Sequence, residues 1–108
     1  MAKSDLLPGT LDMLVLKTLS LAPLHGYAIA QHIERSSQEV LQVEQGSLYP
    51  ALERLQRDGL ITSKWGMSPT GRRARYYTLT ASGRRRLGQE ISDFDTMLLA
   101  IGRVLGRA

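Results

Sequence analysis

The sequence predicts an α+β fold, mostly α, and three observations carry that prediction. Three helical stretches follow one another in the first half of the chain, the third with an apolar stripe on one side and Tyr, Pro and Arg on the other. Two β-rich runs joined by a basic loop come next, and the chain closes on a long stretch with apolar residues at heptad spacing. Helix, helix, helix, hairpin is the order of a winged helix-turn-helix, and the closing stretch adds a C-terminal dimerisation helix.

At the first helix, Pro8-Gly9 is a turn signal, Thr10 is placed as an N-cap, and Asp12 falls in the first turn, where a carboxylate suits the helix dipole. The helix is expected over 11–21. Leu11, Leu14, Val15, Thr18 and Leu19 form one stripe, while Met13 and Leu16 lie off it and add a second apolar side. Two neighbours are therefore expected: the domain core, and an element of another subunit reached through Met13 and Leu16.

Ala22-Pro23-Leu24-His25-Gly26 breaks the pattern, because Pro removes a backbone donor and Gly permits a sharp turn. A second helix is expected over 27–36, with Ile29 and Ile33 buried and Gln31, Glu34 and Arg35 facing water. His25 and His32 lack an acidic or Cys neighbour at ligand spacing, so both read as structural or surface histidines. In the connection that follows, Val40, Leu41 and Val43 either pack beneath the domain or form a stub of strand.

Residues 45–57, Gln-Gly-Ser-Leu-Tyr-Pro-Ala-Leu-Glu-Arg-Leu-Gln-Arg, are the candidate recognition helix. Gly46-Ser47 supplies a turn and an N-cap, and Pro50 is expected where amides have no helical partner. Leu48, Leu52 and Leu55 make the buried stripe, with Ala51 beside it, and Asp58-Gly59 ends the helix. Ser47, Tyr49, Pro50, Glu53, Arg54 and Arg57 are left outside the stripe; a plain solvated face is the competing reading.

Residues 60–65 and 74–79 are the β-rich runs, joined through 66–73 into a hairpin with a basic tip. Arg72, Arg73 and Arg75, with Lys64 across the hairpin, form a positive patch; arginine pairs with phosphate through two N–H groups or enters a narrow minor groove. Charge that merely keeps the hairpin soluble is the alternative. Of the adjacent Tyr76 and Tyr77, one should point inward and one outward. Trp65 is expected as a core lid over the hairpin rather than a stacking platform, because no second aromatic partner is evident beside it.

From Ala81 to about Arg107, Leu87, Ile91, Phe94, Leu98, Ile101 and Leu105 recur at steps of four and three. In so small a domain this seam is expected to pair with a second copy; lying back on its own core is the alternative. Gly83, Gly88, Gly102 and Gly106 each cost about 1 kcal/mol relative to alanine within a helix, so a bend near Gly88 and fraying after Gly102 are expected. Arg84, Arg85 and Arg86 fan out as a solvated face, with contact to a passing DNA backbone as the alternative.

The length of 108 residues fits one compact domain plus an appendage, divided here as 1–80 for the winged helix-turn-helix and 81–108 for the dimerisation helix. Fourteen Lys and Arg against ten Asp and Glu give a net charge of +4, which suits a nucleic acid partner. With no cysteine, disulfides, thiolate nucleophiles and Cys-type zinc sites are excluded. No apolar run reaches the roughly 18 residues of a membrane span, and Met-Ala-Lys-Ser-Asp has no signal-peptide layout, so a soluble, cytoplasmic protein is expected.

Gly-Thr-Leu-Asp near the start, His-Gly-Tyr-Ala-Ile at the second helix, Gln-Gly-Ser-Leu-Tyr-Pro-Ala-Leu at the third and Arg-Tyr-Tyr-Thr-Leu-Thr-Ala-Ser-Gly after the hairpin resemble the PadR family of bacterial transcriptional regulators. The likeness runs in order from about Leu6 to Leu105. Val-Leu-Gln-Val-Glu-Gln-Gly-Ser-Leu-Tyr-Pro and the later Trp-Gly resemble its acidobacterial-type subgroup. The resemblance implies a winged helix-turn-helix dimer, usually a repressor, of the short branch with a single C-terminal helix that packs on the partner's first helix. It also implies a possible effector site between subunits, where short relatives stack planar molecules on an aromatic that Phe94 resembles in position; ordinary seam packing is the competing role.

The expected function is thus sequence-specific binding of double-stranded DNA by a homodimer, at a pseudo-palindromic operator. Ser47, Tyr49, Pro50 and Arg54 would enter the major groove, Arg57 and Lys64 would lie near phosphates, and Arg72, Arg73 and Arg75 would hold backbone or minor groove. The alternative is a winged-helix protein interaction module that does not bind DNA. No enzyme, cofactor or metal is expected: neither His has a nucleophile and orienting carboxylate nearby in sequence, and no phosphate-cradling glycine motif occurs.

Overall fold

The computed structural model describes residues 9–107, so Pro8 of the expected first turn lies outside the described residues. The elements run α1 (Thr10–Leu19), β1 (Leu24–His25), α2 (Gly26–Ser36), α3 (Gln45–Arg57), β2 (Ile61–Met67), β3 (Arg73–Leu79) and α4 (Ala81–Val104). The three strands form one antiparallel sheet in the order β1-β3-β2.

Helix α1 is the hub, touching α2, α3, α4 and β3. It starts one residue earlier than expected: Gly9, with φ 84°, is the N-cap, and Thr10 is already helical and makes no side-chain cap. It also stops earlier, at Leu19, with Ser20 as C-cap, which leaves Leu21 in solvent. Of the second apolar side, Met13 is half-buried and Leu16 is taken up within the chain. Leu16 is 0% exposed and cannot reach another subunit, because α1 is wrapped by its own neighbours on both flanks. Thr18 is buried without penalty, since its hydroxyl donates to the Leu14 carbonyl at 2.8 Å.

Helix α2 begins at Gly26 rather than Tyr27, because His25 is its N-cap: the imidazole Nδ1 accepts from the Ala28 amide at 3.3 Å. His25 also lies in β1, a two-residue strand paired with Tyr76 and Tyr77 that no sequence period could reveal. Beyond α2, the Glu34 carboxylate accepts from the Val43 amide at 3.0 Å, Val43 is buried and Leu41 is half-buried, so the connection packs beneath the domain.

Helix α3 starts two residues before the expected cap. Its N-cap is Glu44, whose carbonyl accepts from Ser47 and Leu48, and Ser47 belongs to the first turn. Pro50 consequently sits in the second turn, where it lacks the amide that would pair with the exposed Gly46 carbonyl four residues back. The stripe Leu48, Ala51, Leu52 and Leu55 is buried as its spacing requires. The helix ends at Arg57 with Asp58 as its C-cap, followed by Gly59 at φ 74° and the Leu60 amide returning to the Leu55 carbonyl.

The hairpin strands are longer and the loop shorter than expected. Met67 pairs with Arg73, and the reversal needs only 68–72, with Pro69 pre-set for the turn and Gly71 at φ 83° closing it. Tyr77 faces the core and Tyr76 the other side, where its ring covers Gly66 and its hydroxyl donates to the Met67 carbonyl at 3.1 Å.

Helix α4 is anchored by its first two turns. The Thr80 hydroxyl accepts from the Gly83 amide at 3.0 Å and donates to the Gly59 carbonyl at 2.8 Å, tying the helix to the end of α3. Gly83 lies against the backbone of Leu60, where a Cβ would overlap that residue's carbonyl oxygen. The helix continues unbroken through Gly88 and past Gly102 to Val104, with Gly106 at φ 80° beyond it. Leu87 is 6% exposed and fills the core; from Ile91 onward no residue of α4 is buried.

Candidate nucleic-acid interface

Helix α3 turns by about 100° per residue, so the direction opposite its buried stripe is shared by Gly46, Pro50, Glu53 and Arg57. Tyr49 and Gln56 fall on the flank toward the hairpin, where the Ser63 hydroxyl of β2 donates to Gln56 Oε1 at 2.9 Å. Ser47 and Arg54 fall on the flank toward α1. Ser47, Tyr49, Pro50 and Arg57 are exposed as expected.

Arg54 is exposed too, but it is not free: its guanidinium donates to the Asp12 carboxylate of α1 at 2.9 Å. Sequence reasoning placed Asp12 as a helix-dipole partner and missed this link, because its two ends lie 42 residues apart. Tyr49 is held by packing, its ring lying against Gly26 so closely that a Cβ there would stand 3.1 Å from the hydroxyl. A side chain at the start of α2 would therefore have to displace the Tyr49 ring by a few tenths of an ångström.

On the hairpin, the register sorts the cations onto two faces. Arg75 is opposite Trp65, and Arg73 is opposite Met67, so both arginines share the face of Tyr77 and Ser63 that looks toward α3. Lys64 is opposite Tyr76, on the other face, and does not join the arginine patch. Arg72 is exposed in the turn itself.

Trp65 is no lid over the core. It is 56% exposed, with the guanidinium carbons of Arg73 and Arg75 lying 5.0 and 5.3 Å from its ring centre. A cleft of about 830 Å³ separates this cluster from Tyr49 and Tyr27. A second one joins Glu53 and Arg57 of α3 to Arg75 and Tyr77. Burial raises the Tyr77 phenol above its usual range, with Arg75 pulling the other way.

Tyr27, Glu53 and Trp65 are thus neighbours of the site that the sequence did not nominate. The exposed acceptor of Glu53 among arginines suits a base-edge donor such as the amino group of cytosine rather than a phosphate.

Helix α4 presents Ile91, Phe94, Leu98 and Ile101 to solvent, followed by Leu105, with Met97, Leu99 and Val104 also exposed. Met13 and Phe94 line a shallow cleft of about 190 Å³ between α1 and α4 of the same chain, with Glu90 and Asp93. Glu90 has a carboxylate oxygen that is buried without a hydrogen-bond partner. Burial raises its pKa, Arg86 at 3.9 Å lowers it, and Asp12 and Asp93 raise it further.

The model of the transcriptional regulator PadR-like family matches residues 15–89. Among solved structures, a transcriptional regulator from Clostridium thermocellum is 27% identical, with a TM-score of 0.81 over 88% of this chain and 89% of that one. A PadR family transcription regulator from Clostridium difficile is 27% identical, with a TM-score of 0.78 over 90% of this chain and 99% of that one. A PadR family transcriptional regulator from Eggerthella lenta is 31% identical, with a TM-score of 0.77 over 90% and 82%.

Proposed function

Since the chain belongs to the PadR-like family of transcriptional regulators, we propose that it works as a homodimeric repressor that reads a pseudo-palindromic operator in double-stranded DNA. The observation that carries this reading is that two clefts join α3 to the arginine face of the hairpin, one lined by Tyr49, Trp65, Arg73 and Arg75 and one by Glu53, Arg57 and Arg75. Pro50, Tyr49 and Ser47 would lie in the major groove with Glu53, Arg57 beside a phosphate, and Arg72, Arg73 and Arg75 along the backbone or minor groove. Arg54 would enter the groove only by leaving Asp12, and Lys64 would reach phosphate only past the edge of the hairpin.

Residues 81–108 serve as the dimerisation arm and 1–80 as the reader. The arm's exposed seam from Ile91 to Leu105 is continuous apolar surface of the kind a monomer does not leave in water. Leu87 anchors the arm to its own core, so the seam proper begins one turn later, and Met13 is the part of α1 still open to a partner. An effector lodged near Phe94 would act by favouring one spacing of the two α3 helices over another. No helix among the described residues is long and apolar enough to cross a membrane, which is compatible with a cytoplasmic repressor.

The test is selection of bound fragments from the organism's own genome by the full chain, followed by titration against salt. The reading predicts a recurring two-fold motif and a steep log-log salt dependence. Fragments without a shared motif, or binding indifferent to salt, would contradict it.

A further inference from the structure

Trp65 is the chain's one tryptophan, and its exposure is not explained by packing beneath it. What lies against the ring is two cations. Arg75 stands directly across the ladder and Arg73 two residues along the same strand, with their guanidinium carbons at 5.3 and 5.0 Å from the ring centre. Two like charges on one face of one strand repel each other, and each long side chain would otherwise sample many rotamers. An indole face attracts both and limits where they go. A guanidinium stacked by its face keeps its N–H edges free to form paired hydrogen bonds with an oxyanion.

We propose that Trp65 is a positioning residue for DNA: a platform that holds Arg73 and Arg75 on the α3 side of the hairpin, poised for the phosphates of one strand entering the cleft beside Tyr49. The inference rests on the DNA-binding reading above. The cleft has the matching chemistry, aromatic on the side of Tyr27 and Tyr49 and cationic on the side of the hairpin, and it opens beside the ridge of α3. A sugar-phosphate backbone, apolar at the sugar and anionic at the phosphate, fits both walls.

The experiment titrates the full chain with a genomically selected duplex at fixed moderate salt, for the wild type, Trp65→Ala, Trp65→Phe, the pair Arg73→Ala with Arg75→Ala, and the triple variant. Trp65→Ala should weaken binding on the order of tenfold through lost pre-organisation of two side chains, with the unfolding midpoint nearly unchanged and the salt slope preserved because both arginines remain. Trp65→Phe should restore most of the affinity, and Trp65→Ala should add little once both arginines are gone. Without DNA, removing the arginines should shift the emission of the single tryptophan. Wild-type affinity in Trp65→Ala, a loss fully additive with the arginine pair, or an emission blind to the arginines would overturn the platform while the DNA reading stood. A wild-type chain that captures no genomic duplex would overturn both.

Discussion

Replacing Gly83 with alanine should destabilise the protein, against the rule that alanine favours helices. Helix propensity alone predicts a gain of about 1 kcal/mol for Gly→Ala inside a helix. At Gly83, however, a Cβ would overlap the Leu60 carbonyl oxygen and stand 2.6 Å from Leu79 Cδ1. The first of these is backbone and cannot swing aside, so the start of α4 must lift. Overpacking of this kind costs about 1–3 kcal/mol, and lifting the helix also loosens the Thr80 cap, worth about 1 kcal/mol. With the propensity gain offsetting the cap, the net expectation is a loss of about 1–3 kcal/mol. Gly88→Ala, five residues along the same helix, is the control, because a Cβ there meets nothing within 4 Å; it should stabilise by up to about 1 kcal/mol. Urea unfolding of both variants at one fixed protein concentration measures the contrast, the concentration being fixed because association would add to stability. Equal, stabilising effects at the two positions would refute the close approach of α4 to Leu60.

Asp12→Asn should cost no more than about 1 kcal/mol of stability, as befits an exposed ion pair, and should tighten duplex binding by releasing Arg54; unchanged or weaker binding in titration would contradict that. Arg72→Ala with Arg73→Ala should weaken binding across all sequences alike and lower the salt slope by roughly 2, read from affinities at several ionic strengths. Ile91→Asp with Leu98→Asp should give folded monomers by sedimentation, and retained dimers would remove the seam from the account. For Glu90 the raised pKa means that its charged form is the disfavoured one in the fold. The stabilising contribution of the protonated form is therefore full below the unfolded carboxyl range and lost as pH rises through the raised folded value. Glu90→Gln should accordingly raise the unfolding midpoint at neutral pH and lose that advantage in acid.

The chain made its helices legible because they are long enough to show a period. The stripe of α3, the core role of Ile29 and Ile33 and the opposite facing of Tyr76 and Tyr77 all follow from spacing and hold in the fold. Helix starts were less legible, since Gly9, His25 and Glu44 cap where Thr10 and Ser47 were the expected choices. Backbone geometry at a cap depends on where the preceding chain arrives, which local preference does not encode. Contacts between distant segments were not legible at all. Arg54 with Asp12, Gly26 beneath Tyr49 and Gly83 against Leu60 each join residues whose types are unremarkable in isolation. Lys64 was misplaced for a related reason: facing in a hairpin is set by register, and the loop proved three residues shorter than the composition suggested; Trp65 shares the face of Ile61 and Tyr77 but is exposed all the same.

The most direct test of the paired reader is the footprint and stoichiometry of the full chain on a genomically selected operator. Two protomers per duplex, protecting two related half-sites whose centres lie about 34–36 Å or a multiple of that apart, is the predicted result. A single protomer on a single unrepeated site would contradict it.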